Sequence, residues 1–372
     1  MSESENQAET QRQLKALRDR LDQVDAGLIE LAAERQRIVS EIGRVKQGEG
    51  RQLRDFRRER EVIGLVRNRA ERVGLDPLVA EDLLKRLIEA SLTRQEQERG
   101  RLAQRGHGRR ALVIGGAGRM GRWLAAFLDN QGFDVLLADP TLEGDGQRLF
   151  EHWEKAPQDV DVVAVAAPLA ASGEIIRALA RQQSQALVFD IGSIKTPLTD
   201  ALEAAASTGL KVCSVHPMFG PDTRLLSGRH VLLMDVGCSQ AVDDARALFA
   251  DTMAEVMEVP LAEHDRLIAL VLGLSHAINI AFFLALERSG ISASQLAGIS
   301  STTFKRQLDI ARDVAAENPD LYFEIQRFNA HGALARTALA EAVSAIEASI
   351  ASNDKSAFRE LMLAGRQYLS EL

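Results

Sequence analysis

Apolar residues recur at steps of three or four along the first part of the chain, at Leu14, Leu17, Leu21, Val24, Leu28, Leu31, Ile38 and Ile42. This spacing puts one apolar stripe on a long helix, roughly 50 Å in length at 1.5 Å per residue. Asp55, a good N-cap, predicts a second helix running towards Val73 and closed by Gly74. Asp76 and Pro77 open a third, with Asp as N-cap and Pro in the first turn. From Gln11 to Arg99 the chain thus reads as three helices and no strand. Helices of this length cannot bury their stripes in a compact monomer, so pairing with a second chain is expected.

Leu102 to Arg110 is basic and contains Gly106 and Gly108, the pattern of a linker. Beyond it the period changes. Ala111 to Ile114, Val135 to Ala138, Val160 to Ala166, Val188 to Ile191 and Lys211 to Val215 read as short buried strands, with Leu124 to Leu128 on an intervening helix. That alternation predicts a doubly wound, mainly parallel sheet. From His264 to the end the pattern is helical again. The fold class is therefore multidomain, α and α/β: an all-helical domain over 1–101, a linker over 102–110, a Rossmann-type domain over 111–262 and a helical domain over 263–372.

A length of 372 residues fits this division, because single domains usually hold roughly 100–200 residues. The chain reads as having no apolar run near the roughly 18 residues that span a bilayer. Its polar, acidic start lacks the features of a secretory signal, which makes the cytoplasm the expected location and a membrane role unexpected. Cys213 and Cys238 are too few and too separated for a disulfide framework or a cysteine-built metal site. The net charge of −8 argues against general affinity for nucleic acid. Arginines nevertheless crowd the stretch from Arg12 to Arg110, and a local cationic site in an anionic protein suggests a small anionic ligand.

The segment Gly115-Gly116-Ala117-Gly118-Arg119-Met120-Gly121 carries G-x-G-x-x-G between a predicted strand and a predicted helix, the context that makes the pattern specific for a dinucleotide. Gly116 is expected to permit the tight turn, Gly118 to admit a pyrophosphate and Gly121 to let helix pack on strand. The helix start, with Arg119 and Met120, presents free N–H groups to the anion. Asp139, at the end of the second strand, is placed to bind the adenosine ribose hydroxyls and to repel a 2′-phosphate. NAD is the expected cofactor.

His216-Pro217-Met218-Phe219-Gly220-Pro221-Asp222 follows a buried strand, so the histidine falls at the carboxyl end of the sheet, where open sheets bind ligands. A histidine of near-neutral pKa takes up a hydroxyl proton as hydride leaves the same carbon. This segment, together with Gly192-Ser193-Ile194-Lys195 and Glu263-His264-Asp265, resembles the prephenate dehydrogenase family from about Ala111 to Leu372. The resemblance implies that His216 bonds the substrate's ring hydroxyl, that Ser193 lies beside it and that His276 lines the pocket. It implies oxidative decarboxylation of prephenate to 4-hydroxyphenylpyruvate without a metal. Where the family places a carboxylate-gripping arginine this chain has Lys305, with Arg306 one step along and about 100° around the helix. Either is a candidate for the grip.

Ala33-Glu34-Arg35-Gln36, Lys46 and Arg54-Asp55-Phe56-Arg57-Arg58-Glu59-Arg60 resemble the all-helical chorismate mutases, with an ungapped match from Leu17 to Gln95. By this resemblance Arg35, Arg58 and an Arg18 from a partner chain hold the substrate carboxylates. Lys46 and Gln95 donate to the ether oxygen, Glu59 with the Asp55 region takes the ring hydroxyl, and Ser91 touches a carboxylate. The rearrangement of chorismate needs no cofactor, only preorganised donors.

The product of the first reaction is the substrate of the second. The whole chain therefore resembles the bifunctional chorismate mutase/prephenate dehydrogenases of tyrosine biosynthesis, which implies a homodimer and inhibition by tyrosine. The alternative is a prephenate or arogenate dehydrogenase whose helical appendage is catalytically inactive and only dimerises.

Overall fold

The computed structural model describes residues 3–48, 54–142 and 147–371. Three helices come first: α1 (Glu3–Gly48), α2 (Phe56–Val73) and α3 (Pro77–Ala103). The caps act as expected from local chemistry. Asp55 accepts from the Arg58 N–H, Asp76 accepts from the Leu78 N–H, and Gly74 closes α2 in the left-handed region at φ 74°. α1 is longer than the apolar stripe alone suggests, because residues 3–10 contain neither glycine nor proline. Its 46 residues span about 69 Å. Helix α3 packs on both α1 and α2, yet the stripe stays open to solvent, with Leu17 62% and Leu31 68% exposed.

The central sheet is built from β1 (Arg110–Ile114), β2 (Asp134–Ala138), β3 (Leu149–Phe150), β4 (Val162–Val165), β5 (Leu187–Asp190), β6 (Val212–Pro217), β7 (His230–Met234) and β8 (Glu255–Glu258). Its order is β3-β2-β1-β4-β5-β6-β7-β8, parallel throughout except where β7 pairs antiparallel with β6. Helices α4 (Arg119–Asn130), α5 (Leu169–Arg181), α6 (Thr199–Ser207) and α7 (Ser239–Leu248) cover its two faces. Alternate strand residues feed two separate cores, as a pleat of period two requires. Leu112, Ile114, Val163, Val165 and Val188 meet Ile176, Leu198 and Leu202 on one face. Val113, Val162, Ala164, Phe189 and Val215 meet Leu124, Leu128 and Val242 on the other. Cys213 is buried in this second core as a free thiol.

The rest is helical: α8 (Leu261–Ile268), a π-helical turn (Ala269–Leu274), α9 (Ser275–Arg288), α10 (Ala293–Gly298), α11 (Thr302–Ala315), α12 (Pro319–Phe328), α13 (Gly332–Ala351) and α14 (Lys355–Leu369). The helical run Leu261–Arg288 corrects one sequence expectation, since it is long and apolar enough by composition to cross a membrane. The run was hidden by Ser275, His276 and Asn279, polar residues one helical turn apart. Within the fold it packs on α11 and α13, and Asn279 is buried and bonded to Gln307 at 2.8 Å. Several of its apolar side chains, Leu270 and Val271 among them, remain exposed.

Candidate active sites

The glycine turn joins β1 to α4. Gly115, rather than Gly116, adopts the left-handed conformation, at φ 86°, so the tight turn rests on the residue before the one expected. Gly116 is required for a different reason, since a Cβ there would lie 3.0 Å from the Leu137 side chain. A Cβ on Gly121 would lie 2.1 Å from the Gly115 carbonyl oxygen, and one on Gly118 3.2 Å from the same atom. The turn is thus a cradle that side chains would fill. Gly118 caps α4 without a side-chain hydrogen bond, and the first turn carries no acidic residue. The helix itself thus puts no carboxylate against its N-terminal N–H groups, which fits a pyrophosphate there. Met120 is half-buried there, whereas Arg119 is held by Asp222 at 2.7 Å and Glu317 at 3.2 Å.

Asp139 sits just beyond β2, where its carboxylate accepts from the Ala117 N–H of the turn at 3.2 Å and from Thr141. Burial opposes its ionisation, but these hydrogen bonds and the nearby Arg122 outweigh it and hold the carboxyl below its usual range. An ionised Asp139 both braces the turn and retains acceptor capacity for ribose hydroxyls.

His216 lies within β6 and is 2% exposed. Its Nδ1 is 2.9 Å from Nε2 of His264, whose Nδ1 is 2.7 Å from Oδ1 of Asp265. Asp265 also accepts from the N–H groups of Lys195 at 2.9 Å and Thr196 at 2.7 Å, so it fixes the turn after β5 that carries Ser193. The fully buried Lys195 ammonium bonds Asp190 at 2.6 Å and the Val215 carbonyl at 2.9 Å. Burial above all, with the charge of Lys195 and the neighbouring His264, pushes the His216 pKa well down, against the opposing pull of Asp265. The imidazole is thereby neutral at ordinary pH, the form in which a histidine accepts a proton.

Ser193 is half-buried in the turn between β5 and α6. His276 stacks on Tyr322 at 4.0 Å between ring centroids, and burial lowers its pKa to about 4. Its Nδ1 is buried and has no hydrogen-bond partner among the described residues. Lys305 and Arg306 both lie exposed on the first turn and a half of α11, which packs on the helix carrying His276.

In the helical region, Arg35 of α1 donates to Ser91 Oγ and to the Leu87 carbonyl of α3, each at 3.1 Å. One turn along, buried Gln95 donates to the Val39 carbonyl at 2.7 Å. A Cβ on Gly43 would come within 2.8 Å of the Gln95 amide nitrogen, so a small residue is needed where the helices cross. The structure thus brings together Arg35, Ser91 and Gln95. Asp55, Arg58 and Glu59 form a second group at the start of α2. There Glu59 is paired with Arg54 through two contacts of 3.0 Å, and Arg58 faces Glu61 at 3.3 Å. Arg18 is exposed on α1, 17 residues or about 25 Å from Arg35 along the helix, so it cannot join the Arg35 group of its own chain. The backbone of Lys46 belongs to α1, and its side chain lies outside the described residues.

Several residues in or beside these groups escaped sequence reasoning. Arg54, beyond pairing with Glu59, donates to Ser227 Oγ of the dehydrogenase region at 2.8 Å. Glu96, next to Gln95, is buried and accepts from the backbone N–H groups of Leu226, at 2.8 Å, and Met253. Nothing in the run Gln95-Glu96-Gln97-Glu98 distinguishes Glu96 from a solvated glutamate. A cavity of about 770 Å³ adjoins this contact, lined in part by Glu96, Arg119, Trp123 and Asp222 rather than by His216.

Comparison with known families covers all three regions. Residues 17–96 match the family described as chorismate mutase type II. Residues 147–258 match the prephenate dehydrogenase nucleotide-binding domain, and residues 260–364 the prephenate dehydrogenase dimerization domain. The T-protein of Enterobacter agglomerans is 29% identical over 84% of this chain and 81% of its own length. That of Haemophilus influenzae is 27% identical over 84% and 80%. The crystal structure of prephenate dehydrogenase from A. aeolicus in complex with hydroxyphenyl propionate and NAD+ shares the fold. Its TM-score is 0.56 at 20% identity, over 71% of this chain and 98% of that one. With a mutase match on α1–α3 and two dehydrogenase matches on the sheet and the helices after it, the chain belongs to the bifunctional chorismate mutase/prephenate dehydrogenases, an isomerase joined to an NAD-dependent oxidoreductase.

Proposed function

We propose that the two activities of this chain are carried by the two groups of residues described above, Arg35–Ser91–Gln95 with the start of α2 for the mutase and His216 with the glycine turn for the dehydrogenase. The observation that carries this reading is the gathering of half-buried Arg35 from α1 with buried Ser91 and Gln95 from α3 where the two helices meet. Residues 1–101 act as the mutase, 111–262 bind the nucleotide, and 263–372 complete the prephenate pocket and dimerise.

In the mutase, Arg35, Arg58 and Arg18 of a partner hold the two carboxylates of chorismate in the folded geometry. Burial pulls the Arg35 pKa down, yet a guanidinium remains charged at any ordinary pH. Lys46 and Gln95 donate to the ether oxygen as charge develops on it, Glu59 and Asp55 take the ring hydroxyl, and Ser91 reaches a carboxylate. In the dehydrogenase, Gly116, Gly118, Arg119, Met120 and Gly121 receive the pyrophosphate of NAD, and Asp139 its ribose. When bound, NAD supplies the acceptor for hydride from the ring carbinol. His216 takes the hydroxyl proton, Ser193 contacts the same oxygen, His276 lines the pocket, and Lys305 or Arg306 grips a carboxylate. The exposed stripe on α1 supports a homodimer, because a second copy would cover it and bring Arg18 to the site it cannot reach within its own chain. The enzyme acts in the cytoplasm, and tyrosine, an aromatic amino acid shaped like the product, competes with prephenate.

Supplying chorismate and NAD to the purified protein tests the reading, with NADH formation followed by absorbance. His216→Asn is expected to stop NADH formation while prephenate accumulates and NAD still binds. Lys46→Ala is expected to stop NADH formation from chorismate but not from supplied prephenate. Undiminished NADH formation in either variant overturns the corresponding assignment.

A further inference from the structure

The row Asp265–His264–His216 has a direction. Asp265 cannot donate, because its carboxyl is held at about 2: burial would raise it, and hydrogen bonds from His264, Thr196 and the Lys195 N–H overcome that. The backbone N–H groups of Lys195 and Thr196 are fixed donors on the same carboxylate. His264 Nδ1, 2.7 Å away, must therefore be a donor as well. Burial lowers the His264 pKa, and a neutral imidazole has one N–H and one lone pair. The lone pair falls on Nε2, which faces His216 Nδ1 at 2.9 Å. Two lone pairs at that distance would repel, so Nδ1 of His216 carries its proton. Nε2 of His216 then has the free lone pair. It has no protein partner among the described residues and is not sealed from solvent.

We propose that His264 and Asp265 are positioning residues for prephenate oxidation, which set the tautomer of His216 so that its Nε2, and not its Nδ1, accepts the proton of the ring hydroxyl. This rests on His216 being the group that takes that proton. The O–H bond of the carbinol breaks with its proton going to Nε2, the carbinol C–H leaves as hydride to NAD, and the carbon–oxygen double bond forms. Carbon dioxide then departs, its bonding pair enters the ring, and the oxygen recovers the proton from Nε2 as a phenol. No proton is gained or lost overall. While His216 is an imidazolium its Nδ1–H points at His264, with Asp265 behind, so the transient positive charge in a buried site faces an anion two groups away. Lys195 is the opposing charge, and Asp190 partly neutralises it at 2.6 Å.

The tautomers are read by ¹⁵N NMR of the histidine rings in the full-length protein without substrate. The expected result is an Nδ1–H on both His264 and His216, and an Nε2–H on His216 overturns the proposal whatever the catalytic rates. Asp265→Asn removes the anion and leaves one amide oxygen for the Lys195, Thr196 and His264 donors, so it strips His216 of both the fixed tautomer and the negative charge behind it. Its kcat on supplied prephenate is expected to fall about 100-fold or more, as for other wrong-tautomer histidines, with KM within threefold and mutase turnover of chorismate retained. The acid limb of its kcat/KM profile shifts to lower pH, since the charge that raised the His216 pKa is gone. His264→Gln, whose Oε1 accepts from His216 Nδ1, is expected to keep most of the kcat that His264→Ala loses. Equal losses in those two variants, or wild-type kcat in Asp265→Asn, overturn the relay. By contrast, correct tautomers with an undiminished rate in His216→Asn would overturn His216 as the base and leave the hydrogen-bond row standing.

Discussion

Replacing Glu96 with glutamine tests whether the mutase helix α3 supports the nucleotide site. The two carboxylate oxygens of Glu96 take one backbone N–H each, from Leu226 and Met253. An amide keeps one acceptor and turns an NH₂ group against the other N–H. The loss is one charge-assisted hydrogen bond, about 1.5–3 kcal/mol, plus part of the cost of a buried unpaired donor. Against this stands the relief of burying a charge, which the upward push of burial on the Glu96 pKa records. A net cost of about 2 kcal/mol remains. Leu226 belongs to the loop whose Asp222 holds Arg119 and whose Thr223 carbonyl accepts from Trp123 Nε1 at 2.8 Å, both donors being on α4 beside the glycine turn. If the whole cost fell on ordering that loop, NAD affinity would drop by up to about 30-fold, since 1.4 kcal/mol is tenfold. Calorimetric titration of NAD into Glu96→Gln measures this directly. Linkage adds a second readout, because NAD and chorismate must affect each other's affinity equally, so any NAD-dependent change in chorismate affinity should vanish in the variant. An NAD affinity within twofold of wild type, with an unchanged melting temperature, refutes the reasoning.

Gly121→Ala forces a Cβ to 2.1 Å from a backbone oxygen and is expected to abolish NAD binding while mutase turnover of chorismate survives; retained NAD binding counts against the turn as the cradle. Comparing Lys305→Ala with Arg306→Ala assigns the carboxylate grip. Loss of the responsible cation raises the prephenate KM at least about tenfold, the scale of a lost charged hydrogen bond, and equal small effects remove both. His276 is neutral in the fold, with its pKa lowered from 6.5 to about 4. A lowered histidine pKa means that the unfolded chain binds more protons between those values, so its contribution to stability is complete above pH 6.5 and is lost as the pH falls towards 4. Urea unfolding at pH 7 and pH 5 should show a smaller difference in His276→Gln than in wild type, and an equal difference contradicts the burial of a neutral ring.

What was readable in the fold was local. Asp55, Gly74, Asp76 and Pro77 act within one turn of their own helices, so their effect survives without knowledge of the rest of the chain. Five of the parallel strands were legible as short apolar runs, and β1, β4, β5 and β6 are buried almost throughout. β3, β7 and β8 were not; β3 has only two residues, and β8, Glu255-Val256-Met257-Glu258, carries a carboxylate at each end and lies at the sheet edge. The open stripe on α1 was foreseeable from helix length alone. Gly115 and Gly116 exchanged roles because a motif fixes the spacing of glycines but not which of them turns the chain, a choice made here by the approach of Ala166 and Leu137.

The sites divide in the same way. His216 is picked out by the His216-Pro217-Met218-Phe219-Gly220-Pro221 segment and its family resemblance, although the structure puts it inside β6 rather than after a strand. His264 is legible only as part of the Glu263-His264-Asp265 stretch; its contact with His216 joins residues 48 apart in sequence, and only the tertiary fold aligns an imidazole edge with another at hydrogen-bond distance. Arg35, Ser91 and Gln95 were legible as a set only through the resemblance to the all-helical chorismate mutases, and the structure places them where α1 faces α3. Glu96, one position on, points about 100° away and so leaves the mutase face altogether, towards the backbone of Leu226 and Met253. Neighbouring residues of α3 thus face different regions of the chain, Gln95 towards α1 and Glu96 towards the backbone of Leu226 and Met253.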